Sequence, residues 1–336
     1  MAFPSDDTLT ISKELLQSVC NAFGLGRMTS HSPLPGTRNR NFKVIVGGSS
    51  WVLRQRYKGY SKEQRIRFDH AAARFLAQQR VPVLPPLPTP DGKGYVRVEG
   101  SVWEAYRFVE GRPLSEGNKE DLTALGVALA RFHRVGADFP LRLSKLAPRG
   151  ETDPGLLRKL ADHIAEETAE AVSALAPYRD WMALALQELP DTCFGPLPHT
   201  LNHGDIQPAN LFMKKGRINA FLDLDWCLWQ PRIYDLAYAL LFCCANHETQ
   251  IEGGSIWSLT QPPTWTVESV PAFLSAYEYG WQPLSNEEHS ALKAQMLLTW
   301  CHCRLAGALK VEAKDRKDFL ARPPHTSEDL MGAVGW

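Results

Sequence analysis

The spacing of apolar and polar positions divides the chain into an early stretch of strand-like segments and a long later stretch of helical ones. Across residues 11–26, Leu15, Leu16, Val19 and Phe23 recur at helical spacing behind Ser12, a residue suited to capping a helix. The period then falls to two: FKVIV, a GGSS turn and WVLRQRY read as a β-hairpin. RIRFDHAAARFLAQQ returns to helical spacing, VPVLPPLPTPDG is a proline-rich connector, and residues 95–99 and 102–109 read as two further strands. Beyond Gly111 and Arg112 the helical period takes over. Leu122, Leu125, Val127, Leu129 and Phe132 mark one helix, and charged helices are expected over 156–175 and 177–188. One hairpin, 211–213 with 218–222 around a KKGR turn, interrupts them. The pattern predicts an α+β protein in two parts.

Length and composition narrow this without redirecting it. A chain of 336 residues is too long for one small core and suits two lobes. With 37 basic and 37 acidic residues the net charge is zero, which gives no electrostatic case for nucleic acid or an anionic membrane as partner. The opening MAFPSDDTLT lacks the basic-then-apolar build of a signal peptide, and the apolar run 236–245 is too short to span a bilayer, so a cytoplasmic location is expected. Among the cysteines, Cys301-His302-Cys303 is spaced too tightly for a zinc knuckle, and buried thiols are expected there and at Cys227, Cys243 and Cys244.

Chemistry concentrates in HGDIQPANLF, residues 203–212, and AFLDLDW, residues 220–226. Phosphoryl transfer to a hydroxyl needs one carboxylate to orient the nucleophile, and an amide and a carboxylate oxygen to hold Mg²⁺ against the phosphates. Asp205, Asn210 and Asp223 supply those groups, with the spacing logic of the protein-kinase pattern H-R-D-x-x-x-x-N followed by D-F-G. Taken singly, Asp205 would read as an exposed loop carboxylate and Asn210 as a turn or cap residue.

These two stretches, with YDLAYALL behind them, resemble the catalytic signatures of the aminoglycoside phosphotransferase-like family, which includes aminoglycoside, choline, homoserine and fructosamine kinases. The resemblance implies a two-lobed protein-kinase-like fold. Residues 1–111 would form a small N-terminal antiparallel β-sheet lobe and 112–336 a larger, mainly helical catalytic lobe. ATP and Mg²⁺ are the implied cofactors and a small-molecule hydroxyl the implied acceptor; oligomeric state is left open. WVLR aligns with the V-A-I-K strand of kinases, placing Arg54 at the α- and β-phosphates, with Asp69 of the following helix as its expected partner. Asn39 and Asn41 stand where the family has an Asn-containing turn, a phosphate loop or an ordinary polar one. The linker implies adenine contacts from the Arg107 carbonyl and the Val109 N–H, with Tyr106 lining the pocket.

His203 is expected to brace the catalytic loop, Gln207 to support it or touch phosphate, and Asp235 to cap and brace it. Asp225 is either an outer support of the metal site or substrate-facing. Glu166, Glu167 and Glu170 could bind a cationic substrate or form a solvated face. The aromatic residues from Trp226 and Trp229 onward could cage a cation or fill the core. ALARFHRVGADFP resembles homoserine kinases of the family. Two other readings stay open: a Ser/Thr protein kinase of the same fold, opposed by the short segment after Asp223, and a nucleotide-binding regulatory protein, motivated by Arg54 and Asp69.

Overall fold

The computed structural model describes residues 11–36, 38–140, 150–188, 195–247, 256–261 and 263–322. Its N-terminal part is an antiparallel sheet of β1 (Met28–Leu34), β2 (Arg40–Val46), β3 (Ser49–Gln55), β4 (Val96–Val98) and β5 (Ser101–Arg107), ordered β1-β2-β3-β5-β4. Helix α1 (Lys13–Ala22) begins at Ser12, whose side chain accepts the Leu15 N–H, and buries Leu16, Val19 and Cys20. These pack against Val44, Trp51, Leu53, Trp103 and Ala105 on one face of the sheet. Because successive strand residues face opposite ways, Lys43, Val52, Arg54, Glu104 and Tyr106 fall on the other face, towards the rest of the molecule. Helix α2 (Glu63–Gln78) lies beyond that face and sends Phe68, Ala72 and Leu76 into the main core.

The C-terminal part opens with β6 (Arg112–Pro113) and α3 (Lys119–Gly136), the latter capped by Asn118. Helices α4 (Pro154–Glu167) and α5 (Val172–Glu188) follow. Four short strands then carry the candidate chemistry: β7 (His199–Asn202), β8 (Leu211–Lys214), β9 (Arg217–Phe221) and β10 (Leu228–Pro231). They pair as β6-β8-β9 and β7-β10. Helices α6 (Ile233–Ala239), α7 (Ser269–Gly280), α8 (Asn286–Ala308) and α9 (Arg316–Ala321) close the fold. Phe132, Phe221, Leu236, Phe273 and Leu298 are buried in one continuous core. Side chains of that size stabilise by about 1.5–3 kcal/mol each when fully buried, which fixes the helices around the loops they carry.

Three elements depart from the pattern expected. Strand β1 was not signalled, because MTSHSPL is an edge strand exposed over most of its length and has no apolar alternation to read. The expected single helix 156–175 ends early at Thr168, which is extended (φ −144°, ψ 89°) and accepts a hydrogen bond from Arg316 through Oγ1 at 3.0 Å. Pro177, expected to start the next helix, lies inside α5 instead. The opening decapeptide, most of the glycine-containing stretch around 251–255 and the tail beyond 322 lie outside the described residues. Among the described residues no helix is long and apolar enough to cross a membrane.

Candidate active site

The loop between β7 and β8 is built on one glycine and one buried acid. Gly204 has φ +86°, and a Cβ there would stand 2.1 Å from the Trp226 carbonyl oxygen, so only glycine lets the two chain segments approach. Asp235, in the first turn of α6, accepts the His203 N–H at 2.6 Å and the Gly204 N–H at 2.8 Å. His133 of α3 reaches the same carboxylate through Nε2 at 3.0 Å, and its Nδ1 meets the Tyr277 hydroxyl at 2.8 Å. His203 spans the gap between the two candidate loops: Nε2 donates to the Leu222 carbonyl at 2.8 Å, and Nδ1 accepts the Asp205 N–H at 3.3 Å. Burial holds both imidazoles below the usual histidine range, so they act as neutral struts rather than as bases.

Asp205 emerges from this bracing with one oxygen engaged. Its Oδ2 accepts from Asn210 Nδ2 at 2.8 Å and from Gln207 Nε2 at 2.9 Å. Burial, and then the nearby Asp223 carboxylate, push the Asp205 carboxyl up to about 7. Because the Asn210 nitrogen is turned to Asp205, its amide oxygen is the end left to coordinate. The Leu222 N–H donates to the Asn210 carbonyl at 2.8 Å, which ties the end of β9 to the loop carrying Asn210. Asp223 follows immediately in the left-handed region (φ 60°, ψ 71°), a conformation sparsely populated by residues other than glycine. That turn leaves its side chain 37% accessible beside Arg54.

Arg54 stands here, with different partners from those expected. Its Nη2 donates to Asp225 Oδ2 and lies 3.2 Å from Asp223 Oδ1, and its Nε is 3.8 Å from Glu104, its cross-strand neighbour. Burial opposes the charge, but Asp225 and then Asp223 outweigh it and raise the guanidinium further above its ordinary value. The expected partner, Asp69, is taken by Arg56, which contacts it at 2.7 Å, Glu104 at 2.8 Å and Asp225 at 3.2 Å. The reason is strand geometry. Arg54 lies near the end of β3 and Arg56 just past it, two residues on and so on the same side, and Arg56 is the one that meets α2. Arg56, Glu104 and His70 (2.6 Å from Glu104) are the functional neighbours that sequence reasoning missed. The available signal was charge inside apolar strands, in VLRQR and VWEAY.

The remaining candidates divide sharply. Asn39 is buried, donating to Asp225 Oδ2 at 2.8 Å and accepting the Tyr57 N–H at 2.9 Å, and Asn41 donates to the Pro35 carbonyl at 3.1 Å. Both side-chain amides therefore carry hydrogen bonds within the chain. Asp225 is not substrate-facing: its side chain is 3% accessible and enclosed by the two arginines. Tyr106 donates to Glu104 at 3.0 Å. The linker residues Arg107 and Val109 line an open depression of about 580 Å³ with Lys43, Phe108 and Asn219. Trp226 packs edge-on against Tyr60 at 5.3 Å with Arg65 over its ring at 5.1 Å, and Trp229 packs on the main core. Several further tryptophans meet the protein's own cations: Arg232 lies over Trp281 at 4.7 Å, Arg322 over Trp257 at 5.0 Å and Arg304 over Trp300 at 5.8 Å, while Trp265 donates Nε1 to the Leu240 carbonyl at 2.9 Å. Glu166 and Glu170 are exposed, on or just after α4, and Glu167 is bound by Arg316 at 2.8 Å.

The donor set suits a hard cation shared with phosphates. Asp223 and Asn210 offer a carboxylate and an amide oxygen, and Mg²⁺ is usually held by one or two carboxylates plus substrate oxygens rather than by a protein-only cage. Among the described residues no group of three or more His, Cys, Asp and Glu side chains forms such a cage.

A braced carboxylate beside hard oxygen donors and a buried charged fork is the arrangement expected of a kinase-like phosphotransferase. Comparison with known proteins agrees: the model of the phosphotransferase enzyme family (APH) matches residues 31–282, and the chain belongs to that family. Homoserine kinase from Methylobacillus flagellatus is 24% identical over 283 residues, 84% of this chain and 80% of that protein. Among solved structures, a microcompartment-associated aminopropanol kinase superposes with TM-score 0.70 at 17% identity, covering 96% of this chain and 99% of its own. An amicoumacin kinase in complex with AMP-PNP, Ca²⁺ and Ami gives TM-score 0.64 at 15% identity, covering 96% and 97%. The fold is thus the protein-kinase-like one, an N-terminal antiparallel sheet followed by a mainly helical part.

Proposed function

We propose that this chain transfers the γ-phosphate of ATP, with Mg²⁺, to the hydroxyl of a small molecule, residues 1–111 holding the nucleotide and 112–336 the catalytic groups and acceptor. One observation carries the reading: Asp205 is fixed through Oδ2 by Asn210 and Gln207, alongside Asp223 and Arg54. The other oxygen of Asp205 would accept the acceptor's O–H, align that oxygen for in-line attack and take its proton late. A carboxyl raised to about 7 is well matched to that task at neutral pH. Asn210 and Asp223 would hold Mg²⁺, which supplies neutralisation of the phosphate oxygens. Arg54 would neutralise the α- and β-phosphates, and the 107–109 backbone would receive the adenine edge. Most of the acceleration is positioning and fixed charge, because phosphoryl transfer passes through a loose transition state.

For the acceptor, a hydroxyl amino acid or amino alcohol of the homoserine type is favoured. The homoserine kinase likeness runs over most of the chain. Electrostatics are compatible with this: the Lys310 ammonium favours the ionised form of Asp205, so a cation stands near that carboxyl where an acceptor's carboxylate could be received. The engagement of the tryptophans with internal arginines speaks against a quaternary-ammonium cage. Acceptor-dependent ADP release, screened over hydroxyl amino acids, amino alcohols, sugars and aminoglycosides, tests both levels. Release with a hydroxyl amino acid supports the full reading, and release only with aminoglycosides overturns the acceptor. No release with any of them, alongside labelling of protein by radioactive ATP, overturns the small-molecule assignment.

A further inference from the structure

The geometry points to Asp225 as the positioning residue for the phosphate-binding arginine, keying the small-lobe phosphate groups to the metal-binding turn. The inference rests on the proposed role of Arg54. In the usual kinase arrangement a helix acid holds the strand base. Here the helix acid, Asp69, is drawn away by Arg56 at 2.7 Å. Asp225 takes its place from the opposite side of the cleft. Its Oδ2 accepts from Arg54 Nη2 and from Asn39 Nδ2 at 2.8 Å, its Oδ1 lies 3.2 Å from Arg56 Nη2, and its backbone carbonyl accepts Arg65 Nη2 at 2.8 Å. Strand β3, the turn before β2 and helix α2 therefore each send a donor to one residue.

That residue stands on the same short 3-10 turn as Asp223, which caps it by accepting the Asp225 N–H at 3.4 Å. A displacement of the candidate metal ligand would therefore displace the arginine as well. Burial sharpens the coupling, since the Asp225 side chain is 3% accessible and the Arg54 side chain 9%, so water screens neither partner effectively. Arg54 Nε is buried, 3.8 Å from Glu104, and finds no hydrogen-bond acceptor among the described residues, so the guanidinium is oriented through Nη2, which meets both Asp225 and Asp223. Asp69, Arg56, Glu104 and His70 form a brace behind it, a separate job from aiming Arg54.

The test is isothermal titration of ATP in the presence and absence of Mg²⁺, with melting temperature as the control for folding. Asp225→Asn is expected to raise the Kd for ATP with Mg²⁺ by about tenfold or more, the size of one charge-assisted hydrogen bond, and to shrink the advantage that Mg²⁺ confers. Adding Arg54→Met to Asp225→Asn should then cost little more, because the two act as a unit. Asp69→Asn is expected to lower the melting temperature while leaving that Kd within about threefold. Should Asp225→Asn not yield folded protein, Asn39→Ala removes a donor that holds Asp225 and is expected to raise the Kd several-fold. A folded Asp225→Asn, or in its absence Asn39→Ala, with an unchanged Kd would overturn the inference, as would an Asp69→Asn that reproduces the Asp225→Asn shift. The readout is nucleotide binding, so it stands apart from whether any acceptor is phosphorylated. A wild-type chain that binds ATP but transfers nothing would overturn the proposed function and leave this test intact.

Discussion

Arg54 and Arg232 are both buried arginines paired with carboxylates, and they are buried to different ends. Arg232, at the start of α6, is saturated: Nε and Nη2 grip Glu288 at 2.6 and 2.7 Å, and Nη1 and Nη2 reach the carbonyls of Gln282 and Pro283 at 3.2 and 3.0 Å. Glu288 also completes a capping box with Ser285 at the start of α8. This pair holds helices together. Arg54 sits between Asp225 and Asp223 with Nε unmatched, in a cluster where Asp69, Glu104, Asp223 and Asp225 outnumber Arg54 and Arg56. Asp223, 37% accessible, is a carboxylate of this cluster open to a further cation. The contrast separates charge that is consumed by the fold from charge held in reserve for a ligand.

Substitution should break the two clusters in different ways. The largest effect on the fold is expected at Arg232→Met, which strands Glu288 and should cost about 3–5 kcal/mol in chemical denaturation while leaving turnover per folded molecule unchanged. Adding Glu288→Leu should recover most of that loss, less the value of the cap, about 1 kcal/mol. Arg54→Met is expected to differ in its effect on activity. It should lower kcat/KM for ATP by roughly 10²-fold, as removal of a charge-stabilising donor does, in addition to a loss of stability from leaving Asp225 with Arg56 as its ion-pair partner. No second apolar substitution should restore that activity. If Arg54→Met proved as destabilising as Arg232→Met and retained normal kinetics, the distinction between the two clusters would be lost.

A smaller effect sharpens the same point from the carboxylate side. The Asp205 carboxyl is raised to about 7 in the folded chain, above its ordinary value, so the folded state holds its proton more tightly than the unfolded state does. Its contribution to stability is present at low pH and lost as pH rises towards and through 7. Asp205→Asn should therefore melt a few degrees higher than the native chain above pH 7, measured with EDTA and without nucleotide. The gap should close as pH falls towards about 4. An Asn variant melting no higher than the native chain at any pH would contradict the idea that Asp205 is kept ionised at a cost.

Legibility in the sequence follows the same division. The loop acid, the amide and the second acid sit close together along the chain in a fixed order, so spacing alone brought them out. Asp235 could be read because an acid opening an apolar helix needs a reason. Arg56, Glu104, His70 and Asp225 converge from just past β3, from β5, from α2 and from the turn after β9, and which arginine meets which acid depends on strand register and helix placement. The mistaken pairing of Arg54 with Asp69 came from that gap. Strand β1 was invisible for a different reason: an exposed edge strand carries no alternation. The aromatic residues of the helical part were ambiguous because a tryptophan face accepts an internal arginine as readily as a ligand's cation.

The most direct measurement is the pair of turnover and nucleotide affinity for Asp205→Asn, made with the best acceptor from the ADP-release screen. The expected result is turnover lowered by on the order of 10²–10⁴, with the Kd for ATP in Mg²⁺ close to that of the native chain. Turnover within about tenfold of native, or nucleotide affinity lost together with activity, would contradict the assignment of Asp205 to the acceptor hydroxyl.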